Sequence, residues 1–243
     1  MKRKFGLIGK SLGHSFSKSY FERKFNESKI DAEYSNYELP EIDDVIPLLR
    51  NEGLAGLNVT IPYKESIIPH LNQLSEVATK VGAVNTVKFL DGKLIGFNTD
   101  VYGFKQMIKP FFKSRHERAI ILGTGGASKA VAHVLEGLGC DVIYISRNPQ
   151  KENEFSYDDV NENMMTFCKI IVNCTPKGTY PEIEECPDIP YGFVTEEHLA
   201  IDLIYNPVET EFLRRCKGKG AWTLNGKTML EQQAERAWEI WNS

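Results

Sequence analysis

The stretch 119–146 constrains this chain more than any other. Residues 119–122, Ala-Ile-Ile-Leu, contain no polar side chain, as expected of a strand buried on both faces of a parallel sheet. Gly123-Thr124-Gly125-Gly126-Ala127-Ser128 follows, a helical run covers 127–138, Gly139 stops it, and 141–146 reads as strand again. Strand, glycine turn, helix and strand at this spacing make one βαβ unit. The first glycine permits a tight turn. The second lets backbone approach a pyrophosphate whose charge sits at the helix N-terminus. Ser128 stands at the third small position, so the match to a dinucleotide fingerprint is imperfect, and any strand-to-helix turn can use glycine. The next strand narrows the reading. An NAD site places an acid near its end, about 20 residues on, to take the ribose 2′-hydroxyl. Here Ile145-Ser146-Arg147-Asn148 has no acid. A guanidinium can grip a 2′-phosphate through two parallel hydrogen bonds, although a solvated arginine at a strand end is common. Loop and arginine together favour NADP over NAD.

The rest of the chain alternates in the same way. Strands are predicted at 4–8, 33–39 and 56–61, with helices at 17–26, 43–51 and 67–81. Runs 83–90 and 93–97 flank Asp91-Gly92, a pair that favours the tight turns of hairpins. A linking helix is predicted over 101–112 and a charged connector over 113–118. Residues 148–163 read as a solvated loop with a helical turn, 170–174 and 200–205 as strands, and 209–217 and 229–241 as helices. At 243 residues and roughly 100–200 residues per domain, one large α/β domain or two small ones fit.

Charge and composition exclude several classes. The chain has 29 basic and 33 acidic residues, a formal net charge of −4, which disfavours a nucleic-acid binder with its basic stripe. No apolar run reaches the roughly 18–20 residues of a membrane span. The start, MKRKFGLIGKSLGHS, lacks the apolar core and small-residue cleavage site of a secretory signal. The five cysteines (Cys140, Cys168, Cys174, Cys186, Cys216) form no CxxC, and the histidines (His14, His70, His116, His133, His198) form no HxxxH. No metal is expected, and a reducing cytoplasm is.

The first hundred residues hold clusters of small polar groups beside predicted strand ends. They are His14-Ser15-Phe16-Ser17, Asn58-Val59-Thr60-Ile61-Pro62-Tyr63-Lys64, Gly82-Ala83-Val84-Asn85-Thr86 and Gly96-Phe97-Asn98-Thr99-Asp100. Each alone is also what a turn or a helix cap uses. Together they suit a small polyhydroxylated ligand, because polar groups in apolar strands are costly unless they hydrogen-bond.

At these residues the chain resembles the shikimate dehydrogenase family along nearly its whole length. The matching stretches, in order, are GHSFSKSYF, GLNVTIPYK, VGAVNT, GFNTDVYGF, GTGGASKA, NCTPKG, DLIYNP and NGKTMLEQQA. The resemblance implies an α/β protein with a substrate domain of residues 1–100 and 225–243 and a Rossmann-like NADP domain of residues 101–224. The active site would lie in the interdomain cleft. Shikimate would be oxidised reversibly to 3-dehydroshikimate with NADP, in aromatic amino acid biosynthesis. Ser15 and Ser17 would hold the substrate carboxylate. Asn58, Asn85, Asp100 and Gln233 would bond the ring hydroxyls, with Thr60 and Tyr205 nearby. Counting from Gly226 and Met229 selects Gln233 over Gln232. Lys64 would be the catalytic acid/base and Asp100 its partner. Gly123, Thr124, Gly125, Gly126 and Ala127 would bind the pyrophosphate. Ser146, Arg147 and Asn148 would serve the adenosine end, with Arg147 on the 2′-phosphate. Thr175 and Leu203 would lie along the cofactor, and Gly226 and Met229 near the nicotinamide. The partners implied are small molecules alone, with no nucleic acid and no membrane, for a monomer or homodimer.

The chemistry suits these groups. Oxidising a secondary alcohol removes a hydride from carbon and a proton from oxygen. An amine beside a carboxylate can manage the proton, by accepting it or by stabilising the alkoxide while the acid relays it. A structural ion pair is the plain alternative. Rival functions are a quinate/shikimate dehydrogenase of the same family, a methylenetetrahydrofolate dehydrogenase, and a non-catalytic dinucleotide-binding regulator. The serine pair and Asp100 suit a small hydroxy acid better than a pterin, and a regulator would not need Lys64 with Asp100.

Overall fold

A computed structural model describes residues 2–13 and 15–243, and only the backbone of residues 49–52. His14 of the first polar cluster lies outside the described residues. The chain divides into two compact units, Met1–Tyr102 with Gln232–Ser243, and Gly103–Glu231.

The first unit is built from β1 (Arg3–Gly9), α1 (Phe16–Glu27), β2 (Ala32–Glu38), α2 (Val45–Glu52), β3 (Gly56–Val59), β4 (Gln73–Leu74), α3 (Glu76–Val81), β5 (Thr86–Leu90) and β6 (Lys93–Phe97). Its six-stranded sheet has the order β2-β1-β3-β5-β6-β4. The β1–β2 and β1–β3 pairs are parallel, whereas β3–β5 and β5–β6 are antiparallel. Alternation along β1 sends Phe5 and Leu7 to one face and Ile8 to the other. Phe5 and Leu7 pack with Phe21, Phe25, Ala234, Ala237 and Trp241. Ile8 packs with Val45, Leu57, Val59 and Val87.

The C-terminal helix, Lys227–Asn242, therefore returns to the first sheet through its last turns. Trp241 stacks on Phe5 with centroids 4.8 Å apart, and its indole Nε1 donates to the Val87 carbonyl at 3.0 Å. A Cβ on Gly56 would stand 2.3 Å from that nitrogen, so the strand can bear no side chain there.

The second unit contains most of α4 (Asp100–Ile108), then β7 (Arg118–Leu122), α5 (Gly126–Gly137), β8 (Asp141–Ile145), β9 (Glu154–Phe155), α6 (Glu162–Phe167), β10 (Ile170–Asn173), β11 (Leu199–Asp202), α7 (Glu211–Lys217) and β12 (Trp222–Leu224). All pairs of its six-stranded sheet are parallel, in the order β12-β11-β10-β7-β8-β9. The chain winds outward from β7 through β8 to β9, then returns beside β7 and winds the other way. The order reverses at β7 and β10, and the carboxyl ends at such a reversal are where doubly wound sheets bind ligands. This is the two-part α/β fold with a Rossmann-like second unit that the resemblance implied.

Several predicted elements differ. The expected helix 67–81 is a 3₁₀ turn at Ile68–His70, strand β4 and the short helix α3. Pro69 lacks the N–H that a continuing helix needs. Asn72 exchanges hydrogen bonds with Leu94, through its backbone N–H and its side-chain oxygen, and Ser75 caps α3 by accepting from the Ala78 N–H. The linking helix ends at Ile108 rather than 112, because Pro110 disfavours helical backbone just before it. The expected loop 148–163 contains edge strand β9, and β12 was not foreseen. The hairpin holds as expected, with Asp91 and Gly92 both at positive φ, 50° and 74°, as a primed two-residue turn requires.

Trp241→Ala is expected to destabilise the first unit by about 3–5 kcal/mol, the range for large aromatic truncations in a core. Urea unfolding measures this. A loss below about 1 kcal/mol would show that the terminal helix does not hold the sheet.

Candidate active site

In the first unit the predicted polar residues form one hydrogen-bonded network. Lys64 Nζ donates to Asp100 Oδ2 at 2.6 Å, with both side chains largely buried. Local structure explains the pairing. The Val84 N–H donates to the Lys64 carbonyl at 2.7 Å and fixes the loop after β3. Asn98 Oδ1 accepts from the Val101 N–H at 3.2 Å, which places Asp100 in the first turn of α4, where the helix dipole favours a carboxylate. Asn85 Nδ2 donates to the other Asp100 oxygen at 2.9 Å and to Thr99 Oγ1 at 3.0 Å. The Thr99 N–H returns a bond to Asn85 Oδ1 at 2.7 Å. Thr99 Oγ1 also donates to Gln233 Oε1 at 3.3 Å, which ties the terminal helix into the network. Gln233 is buried, and the adjacent Gln232 is half-buried.

Asn58 joins from β3. Its Nδ2 donates to Thr86 Oγ1 at 3.2 Å, and its Oδ1 accepts from the Tyr34 phenol at 2.7 Å. Burial pushes the Tyr34 phenol well above its ordinary range, opposed by a hydrogen bond from Ser17. Ser15 caps α1 by accepting from the Lys18 N–H. Thr60 is half-buried just after β3. Thr86 and Thr99, from the predicted polar clusters, connect this network, and so does Tyr34, which the sequence pattern does not mark. Tyr34 is 24 residues from its partner Asn58, so only strand pairing brings them together.

In the second unit, β7 runs into Gly123 at φ 102°, a left-handed conformation that favours glycine. Gly125 is the N-cap of α5, with no side-chain capping bond and no acid in the first turn. A Cβ on Gly125 would meet open space. Free N–H groups at an uncapped helix start fit a pyrophosphate. Ser128, the imperfect fingerprint position, is fully buried and donates to the Gly125 carbonyl at 2.6 Å. Thr124 is exposed and Ala127 half-buried. Arg147 and Asn148 are exposed just beyond β8, and Ser146 Oγ accepts from the Asn148 N–H at 3.2 Å.

Thr175 follows β10 and bonds Asn173 Oδ1 through its N–H at 3.0 Å and its hydroxyl at 2.7 Å. Leu203 follows β11, and Met229 is buried. A Cβ on Gly226 would fall 2.0 Å from the Leu203 carbonyl oxygen, so the two chain segments touch backbone to backbone. Tyr205 is half-buried in this unit, and burial raises its phenol. Asn173 and Asp202 open the matching stretches NCTPKG and DLIYNP, but the resemblance gives neither a role. Each ends a wholly apolar strand run, and that pattern is the signal that could have found them.

All five cysteines are free. Among the described residues, no three His, Cys, Asp or Glu side chains gather as metal ligands, and no helix is long and apolar enough to cross a membrane.

A parallel sheet wound both ways from a glycine turn, with an uncapped helix at the reversal, defines a dinucleotide-binding α/β protein. Its other unit holds a lysine–carboxylate pair among buried amides. Residues 7–87 match the shikimate dehydrogenase substrate binding domain. Residues 97–182 match the NAD binding domain of D-isomer specific 2-hydroxyacid dehydrogenases. The shikimate dehydrogenase (NADP(+)) of Desulforamulus reducens is 35% identical, covering 97% of this chain and 88% of its own. A chorismate mutase/shikimate 5-dehydrogenase fusion protein from Clostridium acetobutylicum has a similar structure, with 38% identity, TM-score 0.88 and coverage of 100% of this chain and 92% of that one. So does the shikimate 5-dehydrogenase of Thermus thermophilus in complex with NADP(H) and shikimate, with 30% identity, TM-score 0.86 and coverage of 98% and 93%. This chain belongs to the shikimate dehydrogenase family.

Asn85→Ala is expected to cost about 1–3 kcal/mol, because the buried Thr99 N–H loses its acceptor. Chemical denaturation checks it; an unchanged midpoint would mean that the network does not hold this end of the sheet.

Proposed function

We propose that this protein is an oxidoreductase that converts shikimate and NADP+ reversibly to 3-dehydroshikimate and NADPH, in aromatic amino acid biosynthesis. The observation that supports this reading most is the 2.6 Å Lys64–Asp100 pair set among the buried amides of Asn58 and Asn85. It places a proton-handling pair beside groups able to orient a small polyhydroxylated ring.

The first unit is the substrate domain. Ser15 and Ser17 hold the substrate carboxylate through their hydroxyls. Asn58, Asn85, Asp100 and Gln233 take the ring hydroxyls, with Thr60 and Tyr205 nearby. Lys64 and Asp100 act as one proton-holding unit, since charges this close titrate as a pair. As the carbinol carbon gives up its hydride, its hydroxyl proton passes to this pair. In the reverse direction the pair returns it. NADP, when bound, supplies the hydride acceptor.

The second unit is the cofactor domain. Gly123, Thr124, Gly125, Gly126 and Ala127 present backbone N–H groups to the pyrophosphate. Ser146, Arg147 and Asn148 receive the adenosine end, where the Arg147 guanidinium pairs with the 2′-phosphate. Thr175, Leu203, Gly226 and Met229 serve the nicotinamide half. The enzyme works on small molecules, as a monomer or homodimer, in the cytoplasm, where its five free cysteines stay reduced.

Mixing the protein with shikimate and NADP+ is expected to raise the near-ultraviolet NADPH band, and quinate or NAD+ to give much less. No signal with any pair would favour a binding module over an enzyme. Lys64→Ala is expected to lower kcat by about 10²–10⁴ with a smaller change in KM. A folded variant with unchanged kcat would remove Lys64 from the chemistry. Arg147→Ala is expected to weaken NADP+ by roughly 10–100-fold and NAD+ far less, because one charge-assisted contact is lost. Equal losses would show that Arg147 does not read the 2′-phosphate.

A further inference from the structure

The chemistry above leaves one fully buried carboxylate unused. Asp202 ends β11, beside Asn173 at the end of β10, and the two are register partners in the parallel pair. Asp202 Oδ2 accepts from the Thr210 hydroxyl at 2.6 Å. Its Oδ1 accepts from Asn173 Nδ2 at 3.1 Å and from the Ile204 N–H at 3.1 Å. Burial pushes its carboxyl up to about 6, against the pull of these three bonds. Among the described residues, these donors are all neutral. Buried charge without a counter-ion is expensive and needs its donors in place.

Those donors belong to the segments that border the glycine turn. Asn173, held by Asp202, turns its own Oδ1 to the Thr175 N–H and hydroxyl. Thr175 in turn lies against Gly123, where a Cβ would stand 3.2 Å from its methyl. On the other side, Ile204 accepts from the Gly226 N–H at 3.0 Å, and Gly226 touches the Leu203 carbonyl. One carboxylate thus sets the loop after β10, the loop after β11 and the close approach at Gly226. All three stand on the side of the reversal opposite to Arg147. Arg147 lies beyond β8, three strands from β11 in the sheet order, roughly 14 Å at the usual strand spacing.

We propose that Asp202 is a positioning residue for the dinucleotide, acting through Asn173 and Ile204 on Thr175, Leu203 and Gly226. The proposal rests on the assignment of NADP to this unit. Asp202 touches no cofactor; it fixes the backbone that does, so its loss relaxes the nicotinamide side of the site and leaves the 2′-phosphate contact intact. Discrimination between NADP and NAD is therefore unaffected, while affinity for both falls.

The test uses the full chain and titrates NADPH and NADH by their fluorescence, alongside steady-state kinetics and thermal unfolding. Asp202→Ala is expected to weaken NADPH and NADH in equal proportion, about tenfold or more, with the KM for shikimate changed by less than about twofold. Asp202→Asn keeps the Oδ1 acceptor and can turn its amide to Thr210, so it is expected to restore binding to within about threefold of wild type. Should Asp202→Ala fail to fold, Asn173→Ala removes only the Thr175 branch and is expected to weaken both nucleotides in the same proportion. A folded variant that binds NADPH as wild type does overturns the proposal. So does a variant in which the KM for shikimate rises as much as the nucleotide dissociation constants, the mark of general structural damage. If wild-type protein binds neither nucleotide, the cofactor assignment itself fails, and this proposal fails with it.

Discussion

A polar side chain placed in an apolar sheet has to find partners there, and both units are organised around that requirement. An unpartnered buried donor or acceptor costs about 1–3 kcal/mol, a sizeable share of the stability of a whole domain. In the first unit, Asn58, Asn85, Thr86 and Thr99 sit in or beside strands and satisfy one another. In the second, Asn173 and Asp202 terminate apolar strands and bond each other. Among the described residues, Asn36 Oδ1 is the one buried side-chain oxygen or nitrogen without a partner. Mutual satisfaction fixes rotamers, and fixed rotamers are what a binding site needs before its ligand arrives.

The two buried carboxylates show how surroundings assign roles. Asp100 lies in the first turn of a helix with an ammonium 2.6 Å away, so its charge is compensated. Asp202 has only a hydroxyl, an amide and a backbone N–H. Those bonds tie the ends of β10 and β11 and the start of α7 to one carboxylate. The same residue type thus meets an ion in one unit and a set of dipoles in the other, and the roles proposed for the two follow from that difference. The net charge of −4 conceals this local arrangement, since the groups proposed to meet anions, Arg147 and Lys64, are single cations placed where they are needed.

The fold was legible wherever local sterics decide it. The βαβ unit follows from an apolar strand, glycines and a helical run, and the hairpin from Asp91-Gly92, because glycine and aspartate tolerate the backbone angles of a primed turn. In 67–81 the helical spacing of Ile67, Ile68, Leu71 and Leu74 predicts a continuous helix that the structure does not form. There a proline and the pairing of Asn72 with Leu94 outweigh the periodicity. The candidate site is read from the resemblance to a family more than from spacing. Lys64 and Asp100 are 36 residues apart, and no local pattern marks them as partners. The strand ends Asn173 and Asp202 did carry a readable sign, a single polar residue closing an apolar run.

Local sequence dictates the grammar of this protein: strands, a glycine turn at a helix start, a hairpin, and an arginine in place of an acid after β8. These depend on neighbours in the chain, on which backbone angles each residue allows and which side chains alternate. Tertiary structure decided which of these pieces meet. It brought the terminal helix back to the first sheet through Trp241 on Phe5, set Lys64 against Asp100, tied Gln233 to Thr99, and seated Thr175 over Gly123. The reason is that such contacts join residues distant along the chain. They form only when burial of apolar faces and satisfaction of buried polar groups are met by the same packing.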